Sequence, residues 1–176
     1  MNKIIIANYR ETEPQVISRE GNSFAIKPVI READAGKCAA SFVEVEPGRY
    51  AYGYHYHEVN EEVFYIIRGH AVVRTPEGEK NLKEGDAIAF PASPEGAHVI
   101  RNGSATEKLV YLDVGTRLTP DVVHLPDTAS GMVYSSSGVH HFRESGSSIP
   151  VLKPFSGFST GAVRRKAGRA PMGRKV

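Results

Sequence analysis

The sequence predicts an all-β protein, a double-sheet jelly-roll barrel carrying a C-terminal extension, and three observations lead there. Apolar runs are short and broken by Gly, Pro and acidic turns about every eight to twelve residues, the rhythm of a sandwich or barrel. No long stretch repeats its apolar residues at helical spacing. Hydrophobic residues make up 40% of the 176 and there is no Trp, so the core must come from Val, Ile, Leu, Phe and Tyr, a set that suits strands better than helices. That length fits one domain with an extension better than two domains.

Taken in order, the apolar and alternating runs predict strands at 24–30, 39–45, 50–57, 63–67, 70–74, 87–90, 98–101 and 109–114. Pro47-Gly48, Arg68-Gly69, Glu77-Gly78, Glu84-Gly85-Asp86 and Asn102-Gly103 supply the turns between them. Eight strands make the barrel domain, residues 1–118. Residues 119–176 read as the extension, Gly- and Ser-rich, with one more hairpin through Met132–Tyr134 and Val139–Phe142 and a mobile final dozen residues.

Charge is uneven along the chain. Residues 1–144 hold 15 Lys or Arg against 20 Asp or Glu, whereas 145–176 hold seven basic residues, Lys153 to Lys175, and no acidic one. No recognition motif accompanies these basic residues, so the tail reads as solvated or subunit-contacting and nucleic acid is not an expected partner. The lone Cys38 excludes an internal disulfide and reads as a small core residue. Ile4-Ile5-Ile6-Ala7 is too short for the apolar region of a signal peptide, and no later run approaches a membrane span. The expectation is a cytoplasmic protein with no membrane partner.

The chemically informative stretch is Tyr50 to His57, where alternation puts His55 and His57 on one face of a strand and Tyr54 and Tyr56 on the other. Imidazoles on neighbouring same-face positions stand ~6–7 Å apart at the backbone, close enough for their side chains to share a metal. Glu62 then opens an apolar strand on the inward face with Phe64 and Ile66. An inward carboxylate needs a metal, an Arg or a hydrogen-bond network to compensate it. Glu61, the rival carboxylate, is expected in solvent. Beyond Gly85-Asp86-Ala87-Ile88-Ala89-Phe90-Pro91 comes Gly96-Ala97-His98, and His98 can return across the barrel toward the pair.

Gly48, His55, His57, Glu62 and Gly69, followed by Gly85, Pro91, Gly96, His98 and Asn102, resemble the two motifs of the cupin superfamily over residues 40–115. Two intervals differ from the family pattern. Six residues rather than five separate Gly48 from His55, and the interval from Pro91 to His98 is two residues longer, which enlarges the loop at Ala92–Glu95. The resemblance implies one divalent transition-metal ion, Fe, Mn, Co, Ni, Cu or Zn, held by His55, His57, Glu62 and His98 in the barrel with one or two positions open. Residues 113–127 are also similar to the region after the barrel in a group of bacterial single-domain cupins. There, Asp121 to Asp127 would fold over the mouth as a lid or cross to a second subunit, and the family's habit of dimerising makes a homodimer the expected assembly.

The cupin fold hosts enzymes, binding modules and storage proteins, so the resemblance alone does not fix function; the complete ligand set points to a metal-dependent enzyme on a small polar molecule, a sugar, hydroxy acid or enediol-type compound, acting as a dioxygenase or isomerase. The alternative is a non-catalytic ligand-binding or sensory protein. An isomerase needs a general acid or base beside the metal, for which Tyr52, Glu95 and His124 are the candidates. Arg68 and Arg101 are candidates for contacting an anionic small-molecule ligand. Tyr50, Tyr52, Tyr54 and Tyr56 read as an aromatic row packed between sheets or at a subunit contact. His70 reads as a turn or edge residue, and His140 and His141 as surface residues.

Overall fold

In the computed structural model, which describes residues 4–19 and 21–144, nearly every regular element is a strand. In chain order these are β1 (Gln15–Arg19), β2 (Asn22–Ile30), β3 (Cys38–Val45), β4 (Tyr50–His57), β5 (Glu62–Arg68), β6 (His70–Thr75) and β7 (Gly78–Lys83). There follow β8 (Ala87–Phe90), β9 (His98–Asn102), β10 (Leu109–Thr116), β11 (Asp121–Leu125), β12 (Ser130–Ser135) and β13 (Gly138–Arg143). A single helical turn, α1 (Glu32–Ala35), and two 3-10 turns, Pro94–Gly96 and Pro126–Thr128, complete the described elements. The eight predicted barrel strands are all present with ends shifted by at most two residues, and the predicted hairpin is β12 and β13.

Two sheets enclose the core. One runs β1-β2-β3-β10-β5-β8 and the other β7-β6-β9-β4-β11-β12-β13, and they are joined at a single parallel pair between β2 and β4, Asn22 with Tyr50. The result is a nearly closed jelly roll whose inner faces pack Phe24, Val43, Val45, Ile66, Val73, Ile100 and Leu109 against one another, all at most 2% exposed. Strict alternation governs β5, where Glu62, Phe64 and Ile66 are buried and Val63 and Tyr65 exposed.

The pairing of β4 with β9 is irregular. Ala51 faces Ile100 and His55 faces His98, so four steps on β4 match two on β9. This bulge centres on Tyr52, which takes φ 61°, an unusual value for a non-glycine residue. Gly48 keeps its own turn with φ 67°, so the bulge is where β4 absorbs its surplus length. It also breaks the expected tyrosine row. Tyr52 turns inward against Phe24, ring centroids 4.8 Å apart, while Tyr54 lies outside under the Arg74 guanidinium and Tyr56 stacks outside on His124.

Other expectations need correction. Cys38 is exposed at the start of β3 rather than in the core. Residues 121–127 neither cap the mouth as a loop nor leave the barrel, because β11 extends the second sheet by pairing antiparallel with β4, Val123 beside His57 and His124 beside Tyr56. β7 went unpredicted because Gly78–Lys83 holds one apolar residue, Leu82; it exists as the return arm of a hairpin. The basic residues Lys153 to Lys175 and the final dozen residues lie outside the described residues.

Candidate metal centre

Opposite sheets bring the predicted residues together. His55 and His57 come from β4 and His98 from its neighbour β9, whereas Glu62 enters from the first position of β5 on the facing sheet. The Nε2 atoms of His55, His57 and His98 stand 3.6, 3.8 and 3.4 Å from one oxygen of Glu62, Oε2. Glu62 is 6% exposed and His98 2%. His55, Glu62 and His98 each place one donor atom within 4.8 Å of the others, forming a group able to hold a metal ion.

What the other ring nitrogens do decides the chemistry. His55 Nδ1 donates to the carbonyl of Gly53 at 2.8 Å, and His98 Nδ1 donates to that of Gly96 at 2.9 Å. His57 Nδ1 donates to Asp121 Oδ2 at 2.6 Å. A carbonyl can only accept, so the neutral rings of His55 and His98 carry their proton on Nδ1 and turn a bare Nε2 lone pair toward Glu62; the Asp121 carboxylate selects the same tautomer in His57. Glu62 Oε2 and His98 Nε2 are buried without a hydrogen-bond partner. With the rings neutral, these lone pairs and the Glu62 oxygen face one point and repel one another; a proton between His55 and Glu62, or a metal cation at that point, relieves the repulsion. Donors each ~2.1 Å from one ion, at octahedral to tetrahedral angles, stand ~3.0–3.4 Å apart. His98 and His55, at 3.4 and 3.6 Å from Glu62 Oε2, lie at or just beyond that range, so His55, Glu62 and His98 could hold a divalent metal ion, with His57 beside them at 3.8 Å from the same oxygen.

Local sequence builds each piece. Gly96 lies so near the Pro91 carbonyl that a Cβ would strike it, and the 3-10 turn at Pro94–Gly96, formed by the lengthened loop, aims the Gly96 carbonyl at His98. His98 is clamped by Phe90, stacked with ring centroids 3.6 Å apart, and by the edge of Phe64. Burial, reinforced by the charge of His55, pushes the His98 pKa down to about 3, so this ring stays neutral and available. Burial opposes ionisation of Glu62, but the imidazoles around it outweigh burial and hold the carboxyl below the usual carboxylate range. Burial likewise opposes charge on His55, yet its attraction to Glu62 prevails and raises its pKa.

Sequence reasoning missed four inward residues. Asp121, 1% exposed, accepts from His57, from the Val59 amide at 3.0 Å and from Asn60 Nδ2 at 2.8 Å. Asn60 is buried as well. Its Nδ2 also donates to the Leu118 carbonyl, and its Oδ1 accepts from Thr116 Oγ1 and the Leu118 amide. Asn60 thereby ties the chain after β10 to the carboxylate that orients His57. On β10 the buried alternation Leu109, Tyr111, Asp113, Gly115 carries two polar groups inward, and Tyr111 Oη and Asp113 Oδ1 are both buried without a hydrogen-bond partner. Burial and the nearby charge of Glu62 raise the Asp113 pKa to about 7. The signal was in the sequence: an Asp at an inward position of an apolar strand asks the same question as Glu62.

Among the sequence candidates, only Tyr52 joins the interior, its ring 6.4 Å from that of His55. Glu95 and Glu61 are exposed. His124 points away from His57, bonded to Glu58 at 2.8 Å and Glu144 at 3.2 Å. Arg68 is exposed at the far end of β5 from Glu62. Arg101 lines a cleft of about 240 Å³ on the outer face of β4, β6 and β9, with Tyr50, Tyr54 and the ion-paired Arg74 and Asp127, and none of the four convergent residues reaches it. His70, His140 and His141 are exposed.

The cupin domain family matches this chain at residues 41–115, from β3 to β10. Residues 41–115 form a cupin domain. Solved structures similar to this cupin include a sugar phosphate isomerase from Silicibacter pomeroyi, 23% identical over 84% of this chain and 97% of that one, with a TM-score of 0.69. A protein of Acidithiobacillus ferrooxidans to which the same activity is ascribed is 26% identical over 82% and 90%, TM-score 0.66. A predicted oxalate decarboxylase of Thermotoga maritima is 24% identical over 65% and 100%, TM-score 0.58. No curated protein matches the sequence of this cupin. No helix among its described residues is long and apolar enough to cross a membrane.

Proposed function

We propose that this cupin is a metal-dependent isomerase of a small hydroxycarbonyl compound of the sugar or hydroxy-acid class, with His55, His57, Glu62 and His98 as the ligands of one divalent transition-metal ion. The observation that carries the metal is the shared tautomer: each Nδ1 is committed to an acceptor and each Nε2 faces Glu62 Oε2. The bound ion would supply Lewis acidity to a substrate carbonyl or enediol oxygen.

Asp113 favours isomerisation over oxygen chemistry. Moving a proton between adjacent carbons requires a group that takes and returns it near neutral pH, and a buried carboxyl at about 7 is tuned for that exchange. Asp113 faces Phe64 across the β10–β5 pair, one inward step along from Gly115 and Glu62, so it lies beside the ligands on the same wall. Tyr111 Oη is unpartnered and buried, and Tyr52 is inward, so both hydroxyls are disposed to bond substrate oxygens. Burial pushes both phenols well above their usual range, which keeps them protonated donors. The activity ascribed to the Silicibacter and Acidithiobacillus proteins supports the reading.

Two measurements test it. Elemental analysis of the purified protein should find one divalent metal per chain, lost in His98→Ala. Incubation of the metal-loaded protein with aldose and ketose substrates in D2O should put deuterium at the carbon next to the carbonyl, and Asp113→Asn should abolish that exchange with metal content unchanged. Oxygen consumption without exchange would replace this reading with a dioxygenase, and ligand binding without either would make the protein a sensor.

A further inference from the structure

We infer that Arg117 is the anion-recognition residue of this site, so that the substrate carries a phosphate or carboxylate group; the inference rests on the isomerase reading for the identity of the site. Gly115 stands directly across from Glu62 in the β10–β5 pair, and its missing side chain would point into the barrel. A Cβ built there would collide with Arg117 Nη1 and come within 3.2 Å of Cζ and 3.3 Å of Nη2. No other group comes as near, so the guanidinium of Arg117 fills the inward space that glycine leaves above Glu62. Its charge is felt at Asp113, Tyr52 and Tyr134, three groups of the barrel interior.

This cation has capacity to spare. Its Nη1 donates to the Thr116 carbonyl at 2.8 Å, and among the described residues it forms no ion pair. The remaining N–H groups of the fork suit the paired oxygens of a phosphate or carboxylate. The backbone beneath is fixed on both sides, because the Arg117 amide donates to the Lys37 carbonyl at 2.9 Å and the Leu118 amide to Asn60 Oδ1 at 2.7 Å. A guanidinium held at the mouth of a metal site, with glycine opposite the ligand carboxylate to admit it, selects a substrate whose anionic end reaches Arg117 while its oxygens reach the interior.

The experiment uses the full chain, wild type and Arg117→Ala, Arg117→Lys and Gly115→Ala, with and without Co(II). Metal content is measured first, and glycerol 3-phosphate, glycerate and glycerol are then titrated by calorimetry in both states. Arg117→Ala should bind the same amount of metal and lose roughly 10- to 100-fold in affinity for the anions, with Arg117→Lys recovering part of it. Gly115→Ala should weaken the anions in the same direction, because its Cβ meets only the movable guanidinium. The probe whose affinity falls more on Arg117→Ala identifies phosphate or carboxylate as the group read. Equal anion affinity in wild type and Arg117→Ala, or no anion binding by the wild type in either state, overturns the inference. A wild type that binds no metal but binds anions through Arg117 instead overturns the metal reading alone.

Discussion

The two ends of one barrel are built from the same strands and have opposite characters. Inward positions of β5 run Glu62, Phe64, Ile66; those of β10 run Gly115, Asp113, Tyr111, Leu109; those of β9 begin at His98 and pass to Ile100. At the closed end Ile66, Leu109, Val43, Val45 and Val73 are fully buried. Among the described residues, three of the buried side-chain atoms without partners, Glu62 Oε2, His98 Nε2 and Asp113 Oδ1, belong to the first steps from the mouth, and the fourth, Tyr111 Oη, rises from the level of Ile66. Unpaired buried polar atoms cost stability, so the apolar end is expected to hold the fold, while the polar end bears a cost that a bound ion or ligand would relieve.

The largest effect that would sharpen this division is expected at the closed end. Ile66→Ala should lower the unfolding free energy by about 2–5 kcal/mol, read from urea denaturation, while the folded fraction binds metal with wild-type affinity. At the mouth the reverse is expected. Asp121→Ala should leave the denaturation midpoint of the metal-free protein much less changed than Ile66→Ala does, yet weaken metal binding roughly 10- to 100-fold in a competitive chelator titration, because His57 loses the carboxylate that fixes its tautomer. Equal losses of stability in the two variants would break the comparison.

A smaller effect concerns slope rather than magnitude. In the metal-free protein Asp113 has a folded pKa of about 7, above an unfolded value of ~3.9, so its contribution is present at low pH and is lost as pH rises through that window. His98 works oppositely: with a folded pKa of about 3 against ~6.5 unfolded, it costs stability as pH falls between them. The two nearly cancel between pH 4 and 6.5. Asp113→Asn should therefore gain on the wild type steadily from pH 4 to 7 in urea midpoints, and a constant difference across that range would mean that Asp113 is not buried as a neutral acid.

Legibility followed the same division. The closed end was readable because alternation of apolar residues is a local signal, and all eight barrel strands came from it. Glu62 and His98 were readable because a polar residue stands at an inward position beside a recognisable motif. Asp113 had the same local signature, in Leu109 to Gly115, but no motif pointed to it. Asp121, Asn60 and Arg117 left no local signal at all. Their roles depend on β11 returning to pair with β4 and on the bonds of Asn60 across more than fifty residues, 60 to 118 and 60 to 121, which only tertiary structure sets. The bulge at Tyr52 was hidden for a related reason, since it appears only when β4 is registered against β9.

His124 provides the smallest effect and the strictest check on inside against outside. It neighbours Val123, whose side chain is inward beside His57, but its own ring stacks outside on Tyr56 with centroids 4.6 Å apart and bridges Glu58 and Glu144. Burial works against charge on this ring, but the two carboxylates raise its pKa. Its stabilising pairing is thus present below the unfolded histidine pKa of ~6.5 and is lost as pH rises through the raised folded value. Both carboxylates are about half exposed, which screens the pairing. His124→Ala should therefore cost at most ~1 kcal/mol at pH 6 and less at pH 8 or in high salt, with metal affinity unchanged. A drop in metal affinity as large as that of Asp121→Ala would mean that β11 positions the site through both its faces, and that the outer surface of this strand belongs to the chemistry as much as the inner one.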